Sequence, residues 1–217
     1  MLAIRRRGFL LTALGALAFP GTEMTLSPSR QFLRSTLWKW QRGTGLERFE
    51  LLRDQEDWVL RGTILTWGKQ EPAEARYQVL CDPDWRTKHV DVVLQEAGAK
   101  RSLKLNVQAG RWYENGQERQ AVHGCIDVDL GWSPSTNTLP IRRLRLDVGK
   151  SSGPLTVAWV RFPEVTLEPL KQEYVRLAER RYLYKSRDAT FKAELEVDND
   201  GLVVKYEGLW ERVRQAR

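Results

Sequence analysis

Asp127 and Asp129 stand two residues apart in the run Gly124-Cys125-Ile126-Asp127-Val128-Asp129-Leu130, and Arg142 and Arg143 follow in Ile141-Arg142-Arg143-Leu144-Arg145-Leu146-Asp147-Val148. Two carboxylates on one strand face suit acid–base work or metal binding, and a guanidinium suits the planar, bidentate recognition of a phosphate or carboxylate. The plainer reading is a wet strand face whose aspartates are neutralised by neighbouring arginines. No third positioned group accompanies the aspartates, so a hydrolase acting on a sugar or phosphate through Asp127 and Asp129 stands as the alternative to binding. Tyr174, Tyr184 and Trp132 add hydroxyls and a broad ring, and Asn137 adds an amide, all suited to a polar headgroup.

The elements around these residues read as strands. Ile126, Val128 and Leu130 alternate with the aspartates, and Leu144, Leu146 and Val148 alternate with Arg143, Arg145 and Asp147, the period of half-buried strands. An antiparallel pairing of the two would set carboxylates opposite guanidiniums. The connection between them, from Gly131 to Pro140, contains two prolines and five Ser, Thr or Asn residues, which give a long loop a defined shape.

Alternation continues along the chain. It covers Leu46 to Leu52, Trp58 to Trp67, Ala75 to Cys81, Val90 to Leu94, Leu103 to Val107, the apolar run Leu155 to Phe162, and Phe191 to Val197. Asp82-Pro83-Asp84, Asn115-Gly116 and Asp198-Asn199-Asp200-Gly201 punctuate it, with Asn115-Gly116 the strongest hairpin signal. Leu170, Tyr174 and Leu177 share a helical face, which predicts one short helix over 170–178. The expected fold class is mainly β: a curled antiparallel β-roll or incompletely closed barrel with one short helix.

The residues of this central stretch also carry a family resemblance. Asp127-Val-Asp-Leu130, the Pro-x-x-Asn-x-Leu-Pro-Ile-Arg-Arg-Leu segment from Pro134, Tyr77-Gln-Val-Leu-Cys-Asp82 with Trp85-Arg86-Thr87, Gln172-x-Tyr174, Tyr182-x-Tyr184, Asp198-x-x-Gly201-Leu-Val-Val-x-Tyr206 and Gly208-Leu209-Trp210 resemble the bacterial "putative glycolipid-binding" family. The likeness covers the chain beyond residue 35. It implies a spiral, partly open β-roll similar to lipoprotein-localisation carriers, and no established reaction. Noncatalytic binding or carriage of a lipid or glycolipid is the function it implies, with ligand contacts expected at Asp127, Asp129, Asn137, Arg142, Arg143, Tyr174, Tyr184 and Trp132, acyl chains on the concave apolar face, and transient membrane contact.

Composition bounds the rest. The 217 residues carry a formal charge of +7, and the three arginines and one glutamate of the first 24 residues leave +5 for the remainder. That charge is interspersed, which argues against a nucleic-acid groove. Nine Trp and six Tyr are the more distinctive feature, and most of them are expected to pack a β core. Cys81 and Cys125, the two cysteines, lie on apolar strands and are expected as free thiols. Cys81, His89, His123 and Cys125 fit no compact zinc spacing, and Asp198-Asn199-Asp200-Gly201 lacks the distal acidic ligand of an EF-hand. No cofactor is expected, and the sequence does not fix an oligomeric state.

The first residues read as an export signal. Arg5-Arg6-Arg7-Gly8-Phe9-Leu10, the apolar run to Phe19 and the triplet Ala16-Leu17-Ala18 match a twin-arginine segment over 1–18, followed by a linker over 19–35 and one domain over 36–217. The expected location is periplasmic or extracellular. Translation from Met24 is the alternative, and gives a cytoplasmic protein.

Overall fold

Strand periodicity decides this fold, and it is read here from a computed structural model that describes residues 30–186 and 190–213. The signal-like segment, Met24 and the linker up to residue 29 lie outside the described residues. Fifteen strands follow one another: β1 (Arg30–Trp40), β2 (Gly45–Asp54), β3 (Asp57–Trp67), β4 (Pro72–Cys81), β5 (Thr87–Glu96), β6 (Ala99–Gln108), β7 (Arg111–Glu114), β8 (Gln117–Glu118), β9 (Val128–Leu130), β10 (Leu155–Arg161), β11 (Thr166–Ala178), β12 (Arg181–Ser186), β13 (Phe191–Val197), β14 (Val203–Tyr206) and β15 (Trp210–Arg212). β1 begins at Arg30, inside the stretch expected as linker. Ala75, Tyr77, Val79 and Cys81 of β4 and Val90, Val92 and Leu94 of β5 all turn inward, as their alternation predicts. Asn115 and Gly116 both take positive φ, 48° and 87°, between the paired Glu114 and Gln117, the conformation of a two-residue hairpin turn.

All the strands join in one curled sheet that does not close into a barrel, ordered β8-β7-β6-β5-β4-β3-β2-β1-β15-β14-β13-β12-β11-β10-β9. The strand nearest the beginning of the described chain and the strand nearest its end therefore pair in the middle, Trp38 opposite Arg212 and Trp40 opposite Trp210. The two edges, β8 and β9, are consecutive in the chain. Residues 119–127 bridge them without a ladder: Thr87 N–H donates to the Ile126 carbonyl at 3.1 Å, Trp112 Nε1 to the Cys125 carbonyl at 2.9 Å, and Val128 N–H to Thr87 Oγ1 at 3.0 Å. The last of these bonds covers a backbone N–H of β9 that an open edge would leave unpaired.

Two expected elements are corrected. Residues 170–178 are not a helix but part of β11, whose register pairs Tyr174 with Tyr184 of β12 and whose neighbour on the other side is β10. The buried positions there are Leu167, Gln172 and Tyr174. Gln172 and Tyr174 follow the strand period, so the helical spacing of Leu170, Tyr174 and Leu177 is coincidental. Residues 141–148 are not the partner strand of 124–130 either. Thr138–Leu144 form a single α-helix, α1, preceded by a 3-10 turn at Ser135–Asn137, and Arg145 ends α1 in the left-handed region at φ 46°. The partner of β9 is β10, and the pair is parallel. A parallel pair needs a long crossover, commonly helical, and residues 131–154 supply it.

That crossover is packed inside the roll. Ser133 through Ile141 are all buried, beside a core that includes Trp38, Phe49, Leu60, Tyr77, Trp112 and Leu139, each exposed by 1% or less. The shaped loop expected between two strands is thus an internal plug. Cys81 and Cys125 are buried free thiols, as expected, and burial raises both pKa values, that of Cys125 to about 11.

Candidate functional site

β9 places Val128 and Leu130 in the core and Asp129 at its margin. Asp127, just before the strand, is 2% exposed, so the face expected to be wet is covered by the crossover. The reason is visible in one pair. Arg143 on α1 donates from Nε at 3.0 Å and Nη2 at 2.5 Å to the two oxygens of Asp127, a bidentate bridge. Burial raises the Asp127 pKa, and Arg143 opposes that rise. Asp129 accepts from Gln172 Nε2 on one oxygen and from Thr136 Oγ1 at 3.4 Å on the other. Burial still pushes it up to about 6.

Asp129 borders a cavity of about 250 Å³ that six aromatic side chains and Arg42 help to line. The crossover contributes Gly131, Ser133 and Asn137, while Trp40, Trp159, Tyr184, Phe191, Tyr206 and Trp210 come from the sheet. Trp40 meets Trp210 edge-on at 4.9 Å between ring centroids, and Tyr184 meets Phe191 and Tyr206 at 6.1 and 5.9 Å. Such contacts hold the rings as a fixed lining. Tyr174 is buried behind the wall, where its hydroxyl donates to Asn137 Oδ1 at 2.9 Å. Asn137 Nδ2 donates in turn to the Pro134 carbonyl at 3.3 Å, so the amide orientation is set from both ends.

Of the eight residues expected to touch a ligand, Asp129, Asn137 and Tyr184 line this cavity, and Tyr174 orients one of them. Asp127 and Arg143 form a structural pair away from it. Arg142 lies in a different cavity, its guanidinium carbon 5.3 Å from the centroid of the Trp85 ring. Trp132 stacks on Phe162 at 5.0 Å and does not line the space. His89 is held between Asn106 and Asp91 at 2.8 and 2.7 Å, and among the described residues no group of three or more His, Cys, Asp or Glu is gathered as metal ligands would be. Asp198 Oδ1 accepts the backbone N–H of Asp200 and Leu202, both at 3.0 Å, which makes its loop a capped turn.

Sequence reasoning missed a carboxylate. Glu47 is fully buried, accepts from Tyr77 Oη at 2.5 Å and from Ser133 Oγ at 2.8 Å, and leaves Oε2 without a partner. Desolvation raises its pKa to about 8 against these two hydrogen bonds, and raises that of Tyr77 well above the ordinary phenol value. The signal was present. Glu47, Phe49 and Leu51 share a parity on β2, and all three turn inward. Ser133 belongs both to this cluster and to the cavity wall, so it links the two.

A family model described as "Putative glycolipid-binding" matches residues 35–212. Among solved structures, a DUF1089 family protein from Pseudomonas aeruginosa is similar, with 30% identity, a TM-score of 0.71, and coverage of 78% of this chain and 92% of that one. No match is found among curated proteins.

Proposed function

The chain belongs to the "Putative glycolipid-binding" family, and from that premise we propose that it binds the sugar headgroup of an amphipathic glycolipid in the aromatic cavity. The observation that supports this reading is the meeting of a desolvated carboxylate and an oriented amide, Asp129 and Asn137, with the rings of Trp40, Trp159 and Trp210. A sugar ring presents hydroxyl groups around its edge and C–H bonds on its faces, and such a wall offers acceptors to the first and flat apolar surface to the second. The size agrees. Drug-sized sites occupy roughly 300–1,000 Å³, so about 250 Å³ suits one sugar ring. Acyl chains then stay outside the plugged interior, in transient contact with a membrane. Of the two aspartates only Asp129 lines the cavity, which favours binding over a reaction shared between them.

The experiment is titration of the full chain with octyl glucoside below its micelle-forming concentration, read by tryptophan fluorescence and calorimetry. Saturable binding is expected, weakened about tenfold or more by Asp129→Asn, since a hydrogen bond to a charged group contributes about 1.5–3 kcal/mol. Absence of saturation across a panel of alkyl glycosides, or equal affinity in the variant, overturns the proposal. Location follows as part of the same reading: export through Arg5-Arg6-Arg7 and the apolar run after it would make the ligand an envelope glycolipid. Arg6→Lys with Arg7→Lys should then retain an unprocessed precursor in the cytoplasm, and fractionation with cytoplasmic markers in both versions rejects export.

A further inference from the structure

Strands β11 to β13 carry the aromatic cavity at one end and a second, basic cavity at the other. Leu170, Ser186 and Phe191 line the first, whereas Arg176, Tyr182 and Val197 of the same strands line the second. Phe191 and Val197 are six residues apart, about 20 Å along a strand at about 3.3 Å per residue. The crossover spans the same distance: Ser133 and Asn137 reach the aromatic end, and Ile141, Arg142 and Arg145 reach the basic one. The roll therefore has two chemically different mouths.

The second cavity measures about 430 Å³ and gathers Arg142, Arg145, Arg176 and Arg180. Among the described residues none of the four forms an ion pair. Two lie over rings, Arg142 over Trp85 at 5.3 Å and Arg176 over Tyr182 at 5.7 Å, and of these Arg142 keeps its guanidinium edge free of hydrogen bonds among the described residues. Arg176 donates from Nη1 to the Leu146 carbonyl at 2.7 Å and from Nη2 to the Glu179 carbonyl at 2.6 Å, while its Nε is buried with no partner. Two carboxylates stand at the rim. Asp198 is already engaged by Arg212 at 2.8 Å and Arg34 at 3.1 Å, and Glu179 is exposed. Four cations, two of them held against rings, against one uncommitted carboxylate leave an excess of positive charge around a concave space, and the unpartnered buried N–H of Arg176 costs free energy.

We propose that this cavity is an anion site for a phosphate-type group, carried by a free phosphate or by a phosphorylated lipid headgroup. Arginine forks match the oxygens of a phosphate bidentately, and two or more of them balance a dianion better than they balance a single carboxylate. The site is independent of the sugar cavity. A ligand could occupy either mouth alone.

The test uses the full chain with inorganic phosphate, followed by calorimetry and thermal melting against sodium chloride at matched ionic strength. Phosphate is expected to bind saturably and to raise the melting temperature above the chloride control. The double variant Arg145→Gln, Arg180→Gln alters two exposed side chains that make no side-chain hydrogen bond among the described residues, so it should fold normally and bind phosphate at least about tenfold more weakly. Sedimentation with phosphatidylcholine vesicles, with and without phosphatidic acid, separates the sources. Vesicle binding that needs phosphatidic acid and is lost in the variant supports a lipid-borne phosphate, and phosphate binding without vesicle binding supports a free one. Phosphate that does no more than chloride, or that binds the variant as well as the parent, overturns the proposal.

Discussion

Glu47→Gln should abolish a loss of stability that the parent suffers as pH rises. The carboxyl has a pKa near 4.5 in the unfolded chain and about 8 in the fold, so between those values the folded state holds a proton that the unfolded state releases. A folded acid with a raised pKa stabilises the protein at low pH, and that contribution is lost as pH rises through the window, levelling off above about 8. At about 1.4 kcal/mol for each tenfold change in proton affinity, the full loss approaches about 5 kcal/mol. Gln cannot ionise and escapes it. It also has a cost, because the site where Oε2 has no partner would receive either an orphan amide nitrogen or an orphan carbonyl, about 1–3 kcal/mol. The variant should therefore be less stable than the parent at pH 4.5, more stable by about 2–4 kcal/mol at pH 9, and equal at some pH between. Urea unfolding followed by tryptophan fluorescence at several pH values measures the difference, in which other titrating groups such as Asp129 cancel to first order. A difference that stays constant from pH 4.5 to 9 would refute the assignment of Glu47 as a protonated buried acid.

Three further outcomes are expected. Arg143→Ala leaves Asp127 buried and unpaired, and should cost about 3–5 kcal/mol in denaturant unfolding, with much of the loss relieved by adding Asp127→Asn. Gly62→Ala places a methyl group on the Tyr77 ring across the β3–β4 pair; the side chain must move off Glu47, so stability should fall by about 1–3 kcal/mol, the scale of an overpacked core, and a crystal structure or the near-ultraviolet spectrum should show Tyr77 displaced. Octyl glucoside affinity should weaken as pH falls through about 6, where Asp129 takes up a proton and loses acceptor capacity, and calorimetry on Asp129→Asn should show no such step.

Much of the sheet was legible because its signals are local. Alternation in Ala75–Cys81 or Val90–Leu94 depends on one strand having one dry face, and Asn115-Gly116 specifies its turn through backbone conformation alone. The errors cluster where distant pairing decides. Arg143, Arg145 and Asp147 alternate with Leu144, Leu146 and Val148 as convincingly as any strand, yet β10 takes the place beside β9 and the intervening chain must travel as a crossover. Pro169 lacks a backbone donor and argues against a central strand, but it sits in β11 opposite Ala158 of β10. Of the ligand residues, those on the sheet and at the crossover's middle converge. Arg142 and Arg143 diverge because helical geometry sends consecutive side chains about 100° apart, one to Trp85 and one to Asp127. Glu47 was hidden by its own chemistry, since charge suggests solvent even where parity with Phe49 points inward.

The pairing of β1 with β15 has a consequence for folding order. Read from β10 through β15 and then from β1 through β8, the sheet is an antiparallel meander in which each strand bonds to the next, with β9 added in parallel at one edge, but the chain runs through it starting from the middle. Apart from the crossover that sets β9 beside β10, each half can form by neighbouring hairpins as soon as its own residues are available. Joining them waits for a three-residue strand, β15, to find β1 across about 170 residues of intervening chain, and for residues 119–127 to stitch the far edges. Late, non-local closure of this kind slows folding and exposes strand edges meanwhile. A lesion confined to Trp210–Arg212 would therefore act far beyond its size, leaving two internally sound half-sheets that cannot become one.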